Sequence, residues 1–462
     1  MGLEDLKKQF NPQYSYKNNI FSVEVKGVFV TINEDIADRF YHGNVEIPIE
    51  DFLQDPQIIR SARVSTGRDT KEVNERAGKL IPDLYGGHHE TPFEGGVMFK
   101  LRVKAPICYA RKFFQLHSTH NEFSSRYSVI DEDLFIPDYA SSSEETRLVF
   151  EESAKDGLDT YNSLLKMNVA KEQSRFALPY RYFTKFYWTI SLRHLLELLS
   201  FEECDNDPFW TVRPLIEQML KDWTPWTYEA YREKKHTIPT LWKNDIESIS
   251  CSPIVDSYDN VKNIGEISLI SVDVDERLFK HTIKTTPDPR RGLAFGSMVF
   301  SLRIPIFVYR QWVRHRNGKW AELPFNFLEI VREKNFYVPE MLRMQTGKTM
   351  EYAYENLGSD EYAICKKVFD QHLDRCIARF FRLLKLGLSS DQASLVLPYT
   401  FRINVIWKVD CESLMNFFSL RCDMHAQWEI RQLAVQIYSY FRKYFPWTNS
   451  VFQKYFNYGK NE

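Results

Sequence analysis

The stretch PIFVYRQWVRHR, residues 305–316, has a partial counterpart in APICYAR, residues 105–111, at an offset of 199 residues between the two prolines. A second pair follows, because LPYTFRINVIW at residues 397–407 matches LPYRYFTKFYW at residues 178–188 with an offset of 219. The tripeptide PWT also occurs twice. Similarity that recurs at a long and nearly constant spacing indicates a duplicated structural unit.

The duplication predicts two domains, copy one over residues 1–240 and copy two over residues 241–462. Because the offset grows along the chain, copy two is expected to contain an insertion between Pro339 and Asp391. Within that region, residues 365–387 have the apolar spacing of an amphipathic helix that ends at a glycine. The polar stretch 236–265 is rich in turn-forming residues, so the join between the copies is expected there.

Each copy has a strand-like segment before its first repeated block, MFKLRVKAP at residues 98–106 and MVFSLRIP at residues 298–305. A helix is expected through each block and long helices in the second half of each copy. Alternating strand–helix periodicity and a G-x-G-x-x-G fingerprint are both missing from the sequence. The fold class is therefore predicted to be α+β, and the pattern does not predict a classical dinucleotide-binding domain.

Composition narrows the class of partner. The formal net charge is -2, from 60 basic and 62 acidic residues, which provides no general attraction for a nucleic-acid polymer or an anionic membrane. No apolar run reaches the length of a membrane span, and the seven cysteines have no regular framework. We therefore expect a cytoplasmic protein, without a metal site, whose anion-binding groups are local.

Three motifs carry candidate chemistry. Copy one contains HETPFE at residues 89–94 and NEFSSRY at residues 121–127, and copy two contains RHR at residues 314–316. Two arginines beside a histidine can hold a phosphate or the electron-rich edge of a flavin, because the guanidinium group is a planar, permanently charged set of donors. A triplet of this kind taken alone is more often a solvated surface.

Together these motifs resemble the signature of the flavin-dependent thymidylate synthases, R-H-R-x-x-S-x-N-E-x-S-x-R-Y preceded by H-E-T-P-F-E. The resemblance extends to RSARVS at residues 60–65 and to SLRCDMHAQWEIRQLA at residues 419–434. It implies two tandem copies of this family's fold, a mixed β-sheet with long helices, arranged as a pseudo-dimer.

Neither copy keeps the whole signature. Copy one keeps its second half but has no arginine triplet, whereas copy two keeps the triplet and continues as Leu323-Pro-Phe. The family's arginine before the Leu-Pro pair is Arg175 in copy one and Ser394 in copy two. Its late arginine is Arg421 in copy two. The losses are complementary.

In the resembled family the active site lies between subunits, so the surviving halves would form one composite site for deoxyuridylate or a related pyrimidine nucleotide. The reciprocal site would lack phosphate ligands. Arg421 would be catalytic by stabilising negative charge on the uracil ring, and Arg126 and Arg175 would hold the phosphate. The implied substrate-binding residues are Gln311, Arg314, Glu122, Ser124, Ser125, Arg126, Arg175 and Arg421.

The resemblance also implies FAD as cofactor, with NADPH and methylenetetrahydrofolate as co-substrates. No nucleophilic side chain is required, since reduced flavin carries out the hydride chemistry. The implied cofactor-binding residues are Ser65, His89, Thr91, Glu94, Asn121, Glu122, Arg193, Arg314, His315, Arg316, Asn416 and His425.

Three functions stay open at this point. The first is methylation of deoxyuridylate to thymidylate, in a homodimer that reproduces the family's tetramer. The second is C5 modification of another pyrimidine nucleotide in the same pocket. The third is a non-catalytic flavin- or nucleotide-binding scaffold, which Asp410 and Glu412 suggest because they place carboxylates where the family has Asn and Arg.

Overall fold

The structure is a computed structural model, and it forms two compact units. Unit 1 comprises Met1–Phe123 and Phe183–Ile249, and unit 2 comprises Ser124–Tyr182 and Ser250–Glu462. No helix among the described residues is both long enough and apolar enough to cross a membrane. The residues described are 15–17, 22–28, 55–64, 67, 73–87, 89–116, 118–124, 129–130, 134–200, 212–233, 258–274, 276–285, 293, 295–315, 317–346 and 353–456.

Unit 1 is built on a five-stranded antiparallel sheet with the order β1-β2-β3-β5-β4. The apolar side chains of β3 alternate with lysine and arginine, so that Phe99, Leu101 and Val103 are fully buried and the charged residues lie on the other face. Its strands are Ser15–Lys17, Ser22–Val28, Met98–Pro106, Thr119–Glu122 and Phe183–Ser191, for β1 to β5. Its helices are α1 to α5, Asp55–Arg63, Glu75–Gly78, Leu80–Gly86, Thr91–Gly95 and Ile107–Gln115, with Leu192–Ser200, Arg213–Trp223 and Pro225–Glu233 towards its end.

Unit 2 repeats this sheet with the order β6-β7-β8-β12-β9. Strand for strand this is the order of unit 1, and the second strand has a register shift in both, between Val25 and Gly27 and between Leu269 and Ser271. The predicted α+β class and the duplication are therefore confirmed, with antiparallel pairing throughout the described strands. The strands are Tyr258–Val261, Gly265–Asp273, Ser297–Pro305, Lys319–Glu322 and Arg402–Asp410, for β6, β7, β8, β9 and β12.

The helices of unit 2 include one long helix from each copy. The copy-one helix Glu144–Lys166 begins at Ser143, whose hydroxyl accepts from the backbone N–H of Thr146 at 3.0 Å. The copy-two helix Ser359–Lys385 is followed by Gly387 at a φ of 92°, as the sequence predicts for a helix end. The other helices are Lys171–Ser174, Glu276–Thr285, Ile306–Trp312, Phe327–Arg332, Ser390–Ala393, Cys411–Arg421, Trp428–Tyr444 and Pro446–Phe456.

The two long helices pack together through a charged and partly buried cluster. Asp156 of the copy-one helix pairs with Arg375 at 2.7 Å and Arg379 at 2.5 Å. His372, which is buried, lies 3.3 Å from Asp156 through Nδ1, and its Nε2 donates to the carbonyl of Ala177 at 2.7 Å. Burial lowers the pKa of His372, but the Cys376 thiol and Asp156 outweigh burial and raise it to about 10.

Most of the insertion in copy two is a β-hairpin, not extra helix. Its strands β10 and β11, Arg343–Thr346 and Ala353–Asn356, pair antiparallel between β9 and the long helix. The long helix itself exceeds its copy-one equivalent only modestly, with 27 residues against 23. The predicted position of the insertion is confirmed and its predicted form is corrected. The join at 236–265 lies outside the described residues up to residue 257.

Candidate functional site

The predicted flavin and nucleotide residues of copy two are placed by two helix ends. The first is the end of the helix Ile306–Trp312, which β8 delivers through Pro305 and which leads to Arg314 and His315. The second is the end of the helix Cys411–Arg421, after which residues 422–427 turn into the helix Trp428–Tyr444. The two helices follow β8 and β12, which are neighbouring strands of one sheet. The ends of the helices therefore lie close together.

Arg421 and His315 form the centre of this region. Arg421 Nε donates to His315 Nε2 at 2.8 Å, and Arg421 Nη2 donates to the carbonyl of Gln311 at 3.3 Å. A guanidinium group can only donate, so Nε2 of His315 is the acceptor and the ring proton lies on Nδ1. Burial, followed by the charges of Arg421 and Arg314, lowers the pKa of His315 to about 3. His315 is therefore neutral at physiological pH.

Positive charge accumulates at this position. Burial, with the like charge of Arg421, lowers the pKa of Arg314 to about 10, which still leaves the guanidinium protonated at neutral pH. Two protonated guanidinium groups beside a neutral imidazole favour an anionic ligand, because an anion compensates charges that burial has separated from water. The pattern has the chemistry expected for phosphate or for an electron-rich ring.

Gln427 connects the two copies within unit 2. Its Oε1 accepts from Arg175 Nη2 of copy one at 2.8 Å and from Gln311 Nε2 of copy two at 2.8 Å. Its Nε2 donates to Glu429 Oε2 at 2.9 Å. The structure thus brings Arg175, Gln311 and Arg421 to one region.

The residues that hold Arg175 and Gln311 together were not predicted from the sequence. Gln427 and Glu429 stand within the recognised motif HAQWE, which was a usable signal, whereas nothing in the sequence singled out Arg343 or Glu172. All four side chains are buried or nearly so. They form a continuous polar chain that reaches Arg175.

In unit 1, Arg193 is already paired with carboxylates. Its Nε donates to Glu90 Oε2 at 2.6 Å, and its Nη1 lies 4.0 Å from Glu94 Oε2. His89 and Thr91 are exposed beside this group. The predicted cofactor role of these residues stays a prediction, and a ligand at Arg193 would share it with Glu90.

The remaining predicted residues divide into described and undescribed ones. Glu122 accepts from the Thr184 hydroxyl at 2.5 Å, and Asn121 beside it is exposed. Ser124 is half-buried and Asn416 is exposed. His425 is exposed and is 2.8 Å from Asp423 through Nδ1. Outside the described residues lie Ser65, Ser125, Arg126 and Arg316.

Asp410 has a structural role. Its carboxylate accepts from the backbone N–H of Ser413 at 2.8 Å and from the Ser413 hydroxyl at 3.0 Å, so it caps the helix Cys411–Arg421. A negative charge is favourable at a helix N-terminus because it compensates the unpaired N–H groups. The carboxylate at this position therefore serves the helix that carries Arg421.

Both copies match one known protein family. Residues 50–227 and 257–447 match the family model described as "Thymidylate synthase complementing protein". The flavin-dependent thymidylate synthase of Pseudothermotoga lettingae is 33% identical over 210 residues, 43% of this chain and 92% of that protein. The enzyme of the same name from Ehrlichia ruminantium (strain Gardel) is 34% identical over 252 residues, 46% of this chain and 84% of that protein. A solved UMP/dUMP methylase PolB from Streptomyces cacaoi, bound with 5-Br dUMP, is 21% identical over 47% of this chain and 97% of that chain, with a TM-score of 0.38.

Proposed function

The chain belongs to the thymidylate synthase complementing protein family, as the resemblance in its sequence predicts, and we propose that it catalyses the reductive C5 methylation of deoxyuridylate. Relatives named flavin-dependent thymidylate synthases support this proposal. In the reaction the C5 proton leaves, the methylene carbon of methylenetetrahydrofolate bonds to C5, and tetrahydrofolate is released. A bound FAD would supply the hydride, taken from NADPH, that completes the methyl group.

The observation that carries the proposal is the shared acceptor Gln427. It holds a guanidinium group of copy one, Arg175, and an amide of copy two, Gln311, at equal distances of 2.8 Å. Each of these residues survives in only one copy. Their meeting supports a single nucleotide site that needs both copies, with Arg175 as the phosphate ligand.

Arg421 is proposed to stabilise the reacting uracil. His315 is neutral and its Nε2 accepts from Arg421 Nε, so this hydrogen bond restricts the orientation of the guanidinium group. A fixed cation in a partly buried site stabilises negative charge that develops on N3 and O4, and it needs no reorganisation during the step. The geometry suits an electrostatic role and not a proton transfer.

The residues around Arg314 fit the isoalloxazine or phosphate groups of a flavin. The protonated and half-buried Arg314 carries donors, and the neutral His315 carries an Nδ1–H. Arg316, Asn416 and His425 of copy two are proposed as further cofactor ligands. His89, Thr91, Glu94 and Arg193 of copy one stay predicted cofactor ligands. These residues would bind and orient the cofactor.

Flavin content and proton release test the proposal. Purified protein should show flavin absorbance at about one FAD per chain, and it should release tritium from C5-labelled deoxyuridylate. Arg421→Ala should lower that rate by about 100-fold or more, as loss of a transition-state donor does. Arg442→Ala, an exposed arginine on the helix Trp428–Tyr444, is the matched control and should keep the wild-type rate.

The other candidate functions predict different results. A protein that takes up no FAD and releases no tritium would be the non-catalytic scaffold. Tritium release from labelled uridylate in preference to deoxyuridylate would assign the second candidate substrate. A homodimer, the proposed oligomer, should appear as twice the 54.8 kDa chain mass in native mass spectrometry.

A further inference from the structure

The inserted hairpin of copy two contacts the segment of copy one that precedes Arg175. The Ala170 N–H donates to the Arg343 carbonyl at 2.7 Å. The Arg343 N–H donates to Gln173 Oε1 at 2.7 Å, and Gln173 Nε2 donates to the Met341 carbonyl at 2.9 Å. The base of the hairpin is therefore tied to the helix Lys171–Ser174 by backbone-directed hydrogen bonds.

The Arg343 side chain continues inwards from this base. Its Nη2 lies 3.0 Å from Glu429 Oε1 and 3.1 Å from Glu172 Oε1. Both glutamates are fully buried, and the guanidinium side chain is only 8% exposed. Buried carboxylates persist as charges only when a cation and hydrogen bonds compensate them. Arg343 supplies that cation for one glutamate from each copy.

The charge on Glu429 determines how Gln427 is oriented. An ionised carboxylate only accepts, so the Gln427 amide must direct its N–H towards Glu429, at 2.9 Å. Its oxygen is then left to accept from Arg175 and Gln311. A flipped amide would place N–H donors against two other donors. The orientation is thus set through contacts that start at Arg343.

Among the residues that the structure describes, the glutamine of the equivalent turn in copy two makes no such connection. Gln392 occupies the position of Gln173, but its Oε1 accepts from the Ser389 N–H at 3.1 Å and closes its own helix cap. The Ser394 hydroxyl that follows donates to the Asp391 carbonyl at 2.6 Å. The same residue type, glutamine, therefore serves the hairpin in copy one and a local cap in copy two.

We propose that Arg343, carried by the inserted hairpin, is a positioning residue that holds Arg175 and Gln311 in the orientation used to bind the nucleotide. The proposal rests on the proposed function for its substrate, deoxyuridylate, but the positioning itself is a property of the ligand-free protein. It gives the insertion a role: copy two stabilises the phosphate-binding arginine that only copy one retains.

Steady-state kinetics with Arg343→Met test the proposal. We expect the KM for deoxyuridylate to rise about tenfold or more while kcat changes less than about threefold, because ground-state contacts are lost. Arg343→Lys keeps the positive charge but not the planar guanidinium group, so its KM should lie between those of wild type and Arg343→Met. It replaces Arg343→Met if that variant does not fold. Wild-type KM in the folded variants would overturn the proposal.

A matched control separates positioning from general destabilisation. Arg402 is another partly buried arginine of copy two, and it donates to the carbonyls of Ile264 and Phe336 at 3.0 Å. Arg402→Met should lower the melting temperature and leave the KM unchanged. The KM increases of Arg343→Met and Gln427→Leu should not multiply in the double variant, since both act through one chain of contacts. KM increases that multiply in the double variant would contradict a single chain of contacts from Arg343 to Gln427.

Amide hydrogen exchange tests the positioning without any substrate. In ligand-free protein, residues 171–178 should exchange faster in Arg343→Met than in wild type and at the wild-type rate in Arg402→Met. Equal exchange in Arg343→Met would overturn the proposal. A wild-type protein that does not use deoxyuridylate would refute the proposed function, and the exchange result would still decide the role of Arg343.

Discussion

The turns Arg175–Ala177 and Ser394–Val396 share a backbone and differ in chemistry. Both are single 3₁₀ turns that follow a four-residue helix, and the residues after them form a bridge between Pro179 and Pro398. Arg175 reaches Gln427, whereas the Ser394 hydroxyl bonds within its own turn. Packing preserves the backbone in both copies, and the arginine stands only in the turn that the opposite copy faces with Gln427.

The helix of the first repeated block also ends differently in the two copies, and here copy two carries the charged residues. In copy two the helix Ile306–Trp312 leads into Arg314 and His315, which carry donors. In copy one the equivalent helix Ile107–Gln115 buries Phe113 and Phe114, and the Phe114 ring packs edge-on to His120 at 4.8 Å. At the offset of 199 residues, Phe113 and Phe114 correspond to Trp312 and Val313, which are buried as well. The counterparts of Arg314 and His315 are the uncharged Gln115 and Leu116, so the difference between the copies is one of charge.

The largest expected effect comes from the two turns. Arg175→Ala should lower kcat/KM for deoxyuridylate by about 100-fold, because a charge-assisted contact is lost. Ser394→Ala, the matched change in copy two, should stay within about twofold of wild type. Equal losses in the two variants would mean that the copies share the site symmetrically.

The long helices should differ in stability at equivalent positions. His372 bonds to Ala177 and pairs with Asp156, whereas Ser153 at the corresponding position is buried and its hydroxyl has no hydrogen-bond partner among the described residues. His372→Ser should lower the free energy of unfolding by about 2 kcal/mol, since it removes the donor to the Ala177 carbonyl and one of the cations that pair with Asp156. Ser153→Ala should change it by less than about 0.5 kcal/mol. Urea unfolding measures both values, and similar values would remove this asymmetry.

The same helix pair predicts a pH dependence. The pKa of His372 is raised from 6.5 to about 10, so its contribution to stability is fully present below pH 6.5 and is lost as the pH rises through about 10. The pKa of Asp156 lies well below its ordinary 3.8: burial alone would raise it, but bonds from His372, Arg375 and Arg379 prevail. The contribution of Asp156 is therefore present above pH 3.8 and lost as the pH falls further. Unfolding free energies should decline between about pH 7 and 10 in wild type and be flatter there in His372→Ser.

The smallest expected effect lies at the ends of the long helices. Gly387 has a φ of 92° and Asn168, its copy-one equivalent, has a φ of 60°, so both adopt the left-handed region. Gly387→Ala should cost about 1 kcal/mol of stability because of its β-carbon. Asn168→Ala should lower the stability less, since asparagine already places a β-carbon at this left-handed position. Thermal unfolding resolves the order, and a larger loss at Asn168 would contradict it.

Prediction from sequence succeeded where the signal was local or repeated. The strands Met98–Pro106 and Ser297–Pro305 and the long helix Ser359–Lys385 follow from their own apolar spacing. The hairpin at Arg343 was not predicted. Its two strands pair with each other, but its base is held by hydrogen bonds to Gln173 and Ala170, far away along the chain. The sequence likewise did not predict that Asp410 caps the helix Cys411–Arg421.

The sequence by itself determined the duplication, the family and the complementary division of the signature, because each is written in the order of residue types. Only the tertiary structure decided that Gln427 links Arg175 to Gln311, and that Arg343 lies behind it with Glu172 and Glu429. Buried glutamates and arginines look like surface residues in a sequence. Their pairing becomes visible only when long-range packing removes water and leaves each charge to find its partner.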